Sequence, residues 1–151
     1  MTVSTVDYAR ETVAGLWDEI QPLLKKQADE VATFKDIPLT PDKELYFKMD
    51  ASGLVRVFTA RKEGRLVGYS LFFVRASIQF QQSIQAQQDL IFIDKEERGF
   101  GGFFIDWCDI QLKLEGVQVV RRHVKAKHDW SKILVRHEYK IEDFIYVRRL
   151  N

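Results

Sequence analysis

Three glycines fall within four positions of the chain, directly behind an arginine and between two apolar segments. The stretch reads RGFGGFF, from Arg98 to Phe104, with the apolar run LIFI before it and helix-like apolar spacing after it. Glycine permits positive φ and lets a ligand approach the backbone. The first turn of a helix leaves N–H groups without partners, and its dipole favours an anion. The sequence therefore predicts a strand, a tight turn and a helix, with a phosphate site at the turn.

Two common phosphate loops are excluded by the residues that follow these glycines. A Walker loop needs Lys and then Ser or Thr, where this chain has Phe103 and Phe104. A dinucleotide fingerprint that starts at Gly99 would need glycine at its sixth position, and that position is again Phe104. A turn that binds no ligand is the other reading of these glycines.

The N-terminal third of the chain has the pattern of helices. Apolar residues recur every three or four positions and predict an amphipathic helix from about residue 6 to residue 34. Pro22 interrupts this pattern, so we expect a kink or a split there. A short helix should follow, with Thr40 as its cap and Pro41 in its first turn.

From Leu54 onward the pattern changes to that of strands. Two β-rich runs around Lys62-Glu63-Gly64 predict a hairpin, and the next strand ends in LIFI, which we expect to be buried on both faces. After the glycines the pattern predicts a helix ending at Gly116, a strand in VQVVRRHVKA, a short helix capped by Asp129, and a terminal strand in DFIYVRRL. This order predicts a mixed α/β sheet with one β-α-β crossover unit in its middle.

Composition limits the classes of protein to consider. A chain of 151 residues fits one domain, 46% hydrophobic residues supply a core, and a net charge of +1 excludes a global basic field for nucleic acid. The sequence has no apolar run long enough for a membrane span, and its N-terminus lacks a signal-peptide pattern, so we expect a cytoplasmic protein. The single cysteine, Cys108, excludes an internal disulfide.

Arg-x-x-Gly at Arg98 to Gly101, with a strand before it and a helix after it, resembles the signature of the GNAT superfamily of N-acetyltransferases, Gln/Arg-x-x-Gly-x-Gly/Ala. The hairpin segment KEGRLVGYSLF and the order of elements are similar to that family over nearly the whole chain. The resemblance implies one domain, residues 1–151, with a mixed, mostly antiparallel twisted sheet flanked by helices around a central β-α-β cofactor-binding unit.

The resemblance also implies acetyl-CoA as the cosubstrate and a set of residues that bind it. Main-chain groups of the turn would bind the pyrophosphate, and the end of the preceding strand would hold the pantetheine arm and polarise the carbonyl. The implied residues are Arg98, Gly99, Phe100, Gly101, Gly102 and Phe103 for the turn, and Ile91, Phe92 and Ile93 for the strand. Phe103 departs from the family's Gly or Ala at that position, although Gly102 lies one place earlier.

Two residues are candidates for proton transfer. An amine must lose a proton before it attacks, so a carboxylate is the expected base, and Asp89 lies where several family members place an acid. The family often has a proton-donor tyrosine on the last helix; Tyr139 is the candidate here, because Leu134 occupies the usual place. Glu96 and Glu97 should face solvent or pair with Arg98, since negative charge would repel the cofactor.

Other sites and partners receive less support from the sequence. His123, His128 and His137 are spaced by five and nine residues, which matches no usual metal motif, so we expect no metal. The basic stretch RRHVKAKH is either a charged edge or a contact to an acidic partner such as nucleic acid. The sequence predicts an N-acetyltransferase for an amine of unknown identity. It leaves open a catalytically inactive GNAT-fold binding protein, a nucleic-acid-directed enzyme, and a homodimer.

Overall fold

The computed structural model describes residues 5–151, which form one open sheet with helices on both faces. The strands are β1 (Val6–Glu11), β2 (Val55–Lys62), β3 (Arg65–Ala76), β4 (Ile84–Ile93) and β5 (Val119–Arg121). The helices are α1 (Val13–Val31), α2 (Lys43–Ala51), α3 (Gly101–Leu114) and α4 (Ser131–Arg136), and short 3₁₀ turns lie at Lys95–Glu97 and Ala126–His128. The predicted mixed α/β fold is confirmed.

The strand order is β1-β2-β3-β4-β5, and neighbouring strands are antiparallel except for β4 and β5. Helix α3 provides the crossover that makes β5 parallel to β4. The β4–β5 pairing joins residues 85–87 to residues 119–121 and then stops. Residues 88–93 of β4 continue without β5 beside them, so a gap opens between β4 and the edge strand β5.

The sheet is buried on both faces, which explains the long apolar runs in its strands. One face packs against α3, in a cluster that includes Phe58, Phe72, Phe104, Cys108 and Leu112. The other face packs against α1, in a cluster that includes Leu16, Ile20, Val57, Tyr69 and Leu71. Because side chains alternate along a strand, the adjacent residues Val57 and Phe58 serve opposite cores.

The predicted start of the N-terminal helix was wrong, and of the kink or split expected at Pro22 the split does not occur. Residues Val6–Glu11 form a strand that pairs with β2, and the helix begins only at Val13, where the Thr12 hydroxyl accepts the Gly15 N–H at 3.0 Å. Pro22 does not split α1, which is continuous to Val31. Leu16, Ile20 and Leu23 are buried on both sides of the proline, so packing holds the helix together despite the lost hydrogen bond.

Both predicted helix caps differ from the structure. Asp42, not Thr40, caps α2 by accepting the Leu45 N–H at 3.0 Å, so the helix begins after Pro41. Trp130, not Asp129, is the N-cap of α4, and the Asp129 carboxylate one residue earlier accepts the Ser131 N–H at 2.8 Å. The hairpin turn at Glu63 and Gly64 and the helix end at Gly116 are confirmed.

The predicted terminal strand in DFIYVRRL is absent from the structure. Residues 141–151 have no regular secondary structure, and Phe144 and Tyr146 are 75% and 91% exposed. β propensity alone does not make a strand, because a strand needs a neighbouring edge to pair with. The β5 edge is three residues long and ends at Arg121, whose side chain instead pairs with Glu142.

A buried arginine joins the two strands that border the gap. The Arg122 side chain is completely buried and donates to Gln88 Oε1 at 3.0 Å, Asp109 Oδ1 at 2.8 Å and the Tyr139 hydroxyl at 3.0 Å. Gln88 follows the last paired residue of β4, and Arg122 follows the last residue of β5. The network therefore fixes both strands where they separate.

We expect Arg122→Met to lower the free energy of unfolding by about 3 kcal/mol, because it leaves Gln88 and Asp109 short of a buried charged donor. Urea unfolding followed by circular dichroism measures the change. Arg121→Met is the matched control: the neighbouring arginine forms an exposed ion pair with Glu142, and its loss should leave the urea midpoint nearly unchanged. Equal destabilisation by the two variants would contradict this role for Arg122.

Candidate active site

A cavity of about 680 Å³ occupies the gap between β4 and β5. Its size is within the usual range for a small-molecule site. Its walls are the end of α1, residues 88–93 of β4, the start of α3, and the segment from residue 123 to residue 137. Helix and strand ends that carry most of the predicted site residues thus meet in one place.

A bulge in β4 presents Asp89 to this cavity. In the β3–β4 register Leu71 lies opposite Leu90 and Phe72 lies opposite Gln88, so Asp89 has no partner. A bulge breaks the ladder and changes the direction of a side chain. Asp89 is exposed and lines the cavity, while its neighbour Gln88 is buried. The only unpaired residue of the described β3–β4 ladder is therefore the predicted base.

Beyond the bulge, the free edge of β4 offers main-chain polar groups to the cavity. The Ile91 carbonyl accepts Gln27 Nε2 at 3.1 Å, and the Ile93 carbonyl accepts Arg98 Nε at 2.9 Å. These carbonyls point away from β3, and in an antiparallel strand the N–H of a residue points to the same side as its carbonyl. The edge can therefore bind an extended ligand that carries amide groups, as another strand would.

The start of α3 supplies unpartnered N–H groups at the other end of the cavity. The first intrahelical bond runs from the Phe104 N–H to the Phe100 carbonyl at 3.0 Å, and Phe100 provides no side-chain cap. The N–H groups of Gly101, Gly102 and Phe103 have no acceptor among residues 5–151. Three free amides at a helix N-terminus form an anion site.

The glycines keep the space beside these amides open. A Cβ atom at Gly101 would lie 3.6 Å from Ile93 Cδ1 and 3.7 Å from Ile133 Cδ1, so it would occupy the cavity without a clash. Gly99 has φ of +132°, which side chains rarely adopt. At Gly102 a Cβ would lie 2.8 Å from His137 Nε2, because this histidine covers that part of the turn.

The Arg98 side chain forms an ion pair with Glu30, near the end of α1. Its guanidinium donates to both carboxylate oxygens of Glu30, at 2.9 and 3.1 Å, and His128 Nε2 lies 2.7 Å from the same carboxylate. Of the two alternatives expected for Glu96 and Glu97, exposure to solvent holds for Glu96, and Glu97 does not pair with Arg98. Glu97 instead pairs with Lys62 at 2.8 Å and Arg65 at 2.6 Å, because its short 3₁₀ turn faces the β2–β3 hairpin.

The charges that line the cavity favour an anionic ligand. Its basic side chains are Arg98, Lys125 and Arg136, together with the three histidines His123, His128 and His137. Asp89 is the only carboxylate among the described lining residues. Desolvation by burial raises the pKa of Asp89, while the nearby His123 and the Tyr46 hydroxyl oppose the rise. A cavity with this balance attracts phosphate groups and keeps one carboxylate ready to accept a proton.

Several solved structures with the same architecture are acetyltransferases, and one is a transcriptional regulator from Bacillus halodurans C-125, 16% identical with a TM-score of 0.73, over 97% of this chain and 100% of that chain. A ribosomal-protein-alanine N-acetyltransferase from Brucella melitensis biovar Abortus 2308 is 19% identical with a TM-score of 0.69, over 97% of this chain and 100% of that chain. An aminoglycoside acetyltransferase from an uncultured soil metagenomic sample is 20% identical with a TM-score of 0.69, over 95% and 97% of the two chains. A predicted acetyltransferase from Clostridium acetobutylicum, solved with acetyl-CoA, is 8% identical with a TM-score of 0.69, over 95% and 96%.

The chain has the fold of the GNAT N-acetyltransferases. At these identities the likeness concerns the fold, which matches over nearly the full length of each chain. No protein-family model and no curated protein sequence matches the chain. The resemblance inferred from Arg98 to Gly101 and from the order of elements is thus confirmed at the level of architecture.

The structure brings most of the predicted GNAT site residues together. Asp89, the strand residues 91–93, Arg98, Gly99, Gly101 and Gly102 all line the cavity. Phe92 is buried and the isoleucines on either side are half-buried, so the expectation that this strand end is buried on both faces was wrong; the cavity lies against it. Phe100 is packed in the core and Phe103 is 73% exposed, so only their main chains are at the turn.

Tyr139 lies apart from the residues that line the cavity. Its hydroxyl donates to Asp109 Oδ2 at 2.6 Å and accepts from Arg122 Nε at 3.0 Å, and burial raises its pKa. Leu134, which occupies the usual position of the GNAT tyrosine, is buried. The geometry therefore gives Tyr139 a place in the Arg122 network and lends no support to a role as proton donor. Cys108 is also buried, and burial raises the pKa of its thiol to about 12.

Several residues of the site were missed by sequence reasoning. Gln27 and Glu30 share one face of α1, and the Gln27 side chain, which accepts from the Tyr69 hydroxyl, reaches the Ile91 carbonyl. Tyr46 and His123 lie beside Asp89. Helical spacing pairs Gln27 with Glu30, but their partners Tyr69, Ile91 and Arg98 are more than forty residues away in the sequence. No local pattern links residues so far apart.

The described part of the chain has neither a metal-binding cluster nor a membrane-spanning helix. Residues 5–151 contain no group of three or more His, Cys, Asp or Glu side chains arranged to hold a metal ion. In the same range, no helix combines the length and the apolar character needed to cross a membrane.

We expect Asp89→Asn to raise the thermal unfolding temperature at neutral pH. Because the folded-state pKa of Asp89 is raised, the folded protein binds more protons than the unfolded chain between the two pKa values, and stability falls as pH rises through that window. Asparagine cannot ionise, so it removes this loss of stability. The unfolding temperature of Asp89→Asn should exceed that of the parent most at pH values above the window, and the difference should shrink as the pH is lowered through it. Thermal melts from about pH 4 to pH 8 measure the difference.

Asp7→Asn, on the exposed face of β1, is the matched control for loss of a carboxylate. A variant Asp89→Asn that melts at the same temperature as the parent across this pH range would show that Asp89 is not desolvated in the folded protein.

Proposed function

We propose that the protein is an acetyl-CoA-dependent N-acetyltransferase that acts on a primary amine. One observation carries the proposal: the free amides at the start of α3, the free edge of β4 and the bulged Asp89 face the same cavity. The acetyltransferase fold agrees with this reading.

The residues present fit the parts of acetyl-CoA. The N–H groups of Gly101, Gly102 and Phe103 would bind the diphosphate, and the space that a Cβ at Gly101 would fill admits it. The edge at Ile91 and Ile93 would bind the amide-bearing pantetheine arm in the manner of an added strand. When bound, acetyl-CoA supplies the activated acetyl thioester.

The chain's own groups would position the reactants and manage the proton. Main-chain N–H groups on the free edge of β4 can donate to a carbonyl oxygen bound there and stabilise negative charge on it. Asp89 can accept a proton from an ammonium group, either directly or through water. Its raised pKa brings it closer to that of an amine, near 10, and makes it a better base than an ordinary aspartate.

Gly101→Val should weaken CoA binding by at least about 100-fold while the fold persists, because Val would occupy the space beside the amides in ordinary contact with Ile93 and Ile133. Calorimetric titration with CoA measures the affinity. Leu114→Val, at the 77% exposed far end of α3, is the control for a β-branched residue in this helix. Undiminished CoA affinity in Gly101→Val would contradict the proposed cradle.

Asp89→Asn should slow acetyl transfer more at low pH than at high pH, since at high pH the amine is already deprotonated and needs no base. Steady-state rates over a pH series measure the effect, once an amine panel incubated with acetyl-CoA has identified an acceptor by a mass increase. Parallel pH–rate profiles for the two proteins would remove Asp89 from the mechanism.

A catalytically inactive binding protein with this fold is the second reading, and the missing tyrosine at Leu134 favours it. Saturating acetyl-CoA separates the readings in part, because a ligand that binds the folded state raises the unfolding temperature. No shift would favour a bare scaffold; a shift without any acetylated amine would favour a binding protein.

The basic stretch gives little reason to prefer a nucleic-acid substrate. Arg122 is completely buried, and Arg121 pairs with Glu142 at 2.5 Å. Lys125 and His128 face the cavity. Apart from Lys127, which is exposed, the charges of this stretch are therefore used inside the domain or at the proposed cofactor site, and no observation favours nucleic acid.

A further inference from the structure

A second, smaller cavity adjoins the first and has a different chemical character. This side cavity measures about 240 Å³ and lies between α1, the loop before α2, and the sheet. Among its lining residues are Leu16, Trp17, Ile20, Pro38, Tyr46 and Val57. Leu24, Leu39 and Leu90 line both cavities, so the two are neighbours that share one wall.

The lining of the side cavity is apolar and aromatic. Within the described residues, no charged side chain lines it, and the lining residues with polar side-chain groups are Trp17, Thr40 and Tyr46. The Trp17 ring lies 6.2 Å from Tyr46 and 5.6 Å from Phe47, which makes one wall aromatic. A charged group placed here would lose its hydration without gaining a partner, whereas a hydrocarbon group would gain contacts.

Tyr46 and Leu90 connect the side cavity to the proposed base. Leu90 follows Asp89 in the bulged strand and lines both cavities. Tyr46 lines the side cavity, and burial, followed by the nearby negative charge of Asp89, raises the pKa of its hydroxyl. An amine held at Asp89 thus has its carbon skeleton next to the apolar wall.

We propose that the acceptor is a small primary amine on an apolar body, aromatic or branched aliphatic, which fills the side cavity while its nitrogen reaches Asp89. This inference rests on the proposed acetyltransferase function and names its substrate class. An apolar cavity of about 150 Å³ holds a benzene ring. The 240 Å³ of the side cavity therefore accommodates a ring with a short alkyl chain.

The proposed acetyl transfer needs only the acetyl thioester, the amine, Asp89 and solvent. A C–N bond forms between the acetyl carbon and the amine nitrogen, and the C–S bond of the thioester breaks. The ammonium group gives one proton to Asp89, which passes it to solvent, and the nitrogen gives a second proton to the departing thiolate. The products are an N-acetyl amine, a free thiol and one released proton.

Other acceptor classes fit the charges less well. Polycationic amines would meet Arg98, Lys125 and Arg136 in the main cavity and a single described carboxylate. Phosphorylated amino sugars would find no cationic side chain in the lining of the side cavity. Both would also leave the apolar wall without a partner.

The test is calorimetric titration with 2-phenylethylamine in the presence of saturating CoA, on the parent protein and on a pair of loop variants. Leu39→Arg places a cation where the two cavities meet. We expect it to lower the affinity for the amine at least tenfold, because the arginine would block the side cavity and repel the ammonium group. Ile37→Arg is the matched control, because Ile37 is 58% exposed on the same loop and lines neither cavity. It should bind like the parent.

Circular dichroism checks that both variants remain folded, and spermidine serves as the competing amine class. Binding of 2-phenylethylamine that is lost in Leu39→Arg and kept in Ile37→Arg supports the inference. A parent that binds CoA and prefers spermidine, or equal affinities in the two variants, overturns the inference while the proposed function stands. If the parent fails to bind CoA at all, titrations without CoA test the amine site alone, and the proposed function is what fails.

Discussion

The separation of β4 from β5 is the constraint on which the rest of the structure depends. Parallel pairing ends after three residues, so residues 88–93 of β4 have an unpaired edge that a longer β5 would cover. Unpaired main-chain groups inside a protein need other partners. Gln27 and Arg98 provide them for two carbonyls, and the Arg122 network fixes the strands at the point where they part. The cavity is therefore a built feature of the sheet and not a packing defect.

Several local features cost stability, and the proposed ligand site gives them a function. Asp89 breaks the β3–β4 ladder and is partly desolvated, and three amides at the start of α3 lack acceptors within the described chain. Glu30 holds Arg98 and lies against His128, so three charged or titratable groups from distant segments meet at one wall. Strained or unpartnered groups of this kind concentrate at functional sites, where a ligand satisfies them.

The sequence was most informative where local chemistry decides the structure. Residues that tolerate positive φ determine three features: the hairpin at Glu63 and Gly64, the glycine turn, and the end of α3 at Gly116. These three features were predicted correctly. The strand at Val6–Glu11 was missed because its pairing with β2, more than forty residues away, outweighs the helical spacing. The terminal segment reads as a strand, yet it has no edge to join. Likewise, the turn and Asp89 could be found from the sequence, whereas Gln27, Glu30 and Tyr46 depend on tertiary contacts.

The central claim is that the main-chain amides at the start of α3 bind the diphosphate of a coenzyme. Titration of ¹⁵N-labelled protein with CoA, followed by ¹H–¹⁵N correlation spectra, tests it most directly. We expect the amide resonances of Gly101, Gly102 and Phe103 to shift most strongly, and their protons to exchange more slowly with solvent, when CoA is bound. Pantetheine lacks the phosphates, so it should shift the amide resonances of the β4 edge but not these three. Saturation with CoA that leaves these three resonances unmoved would contradict it.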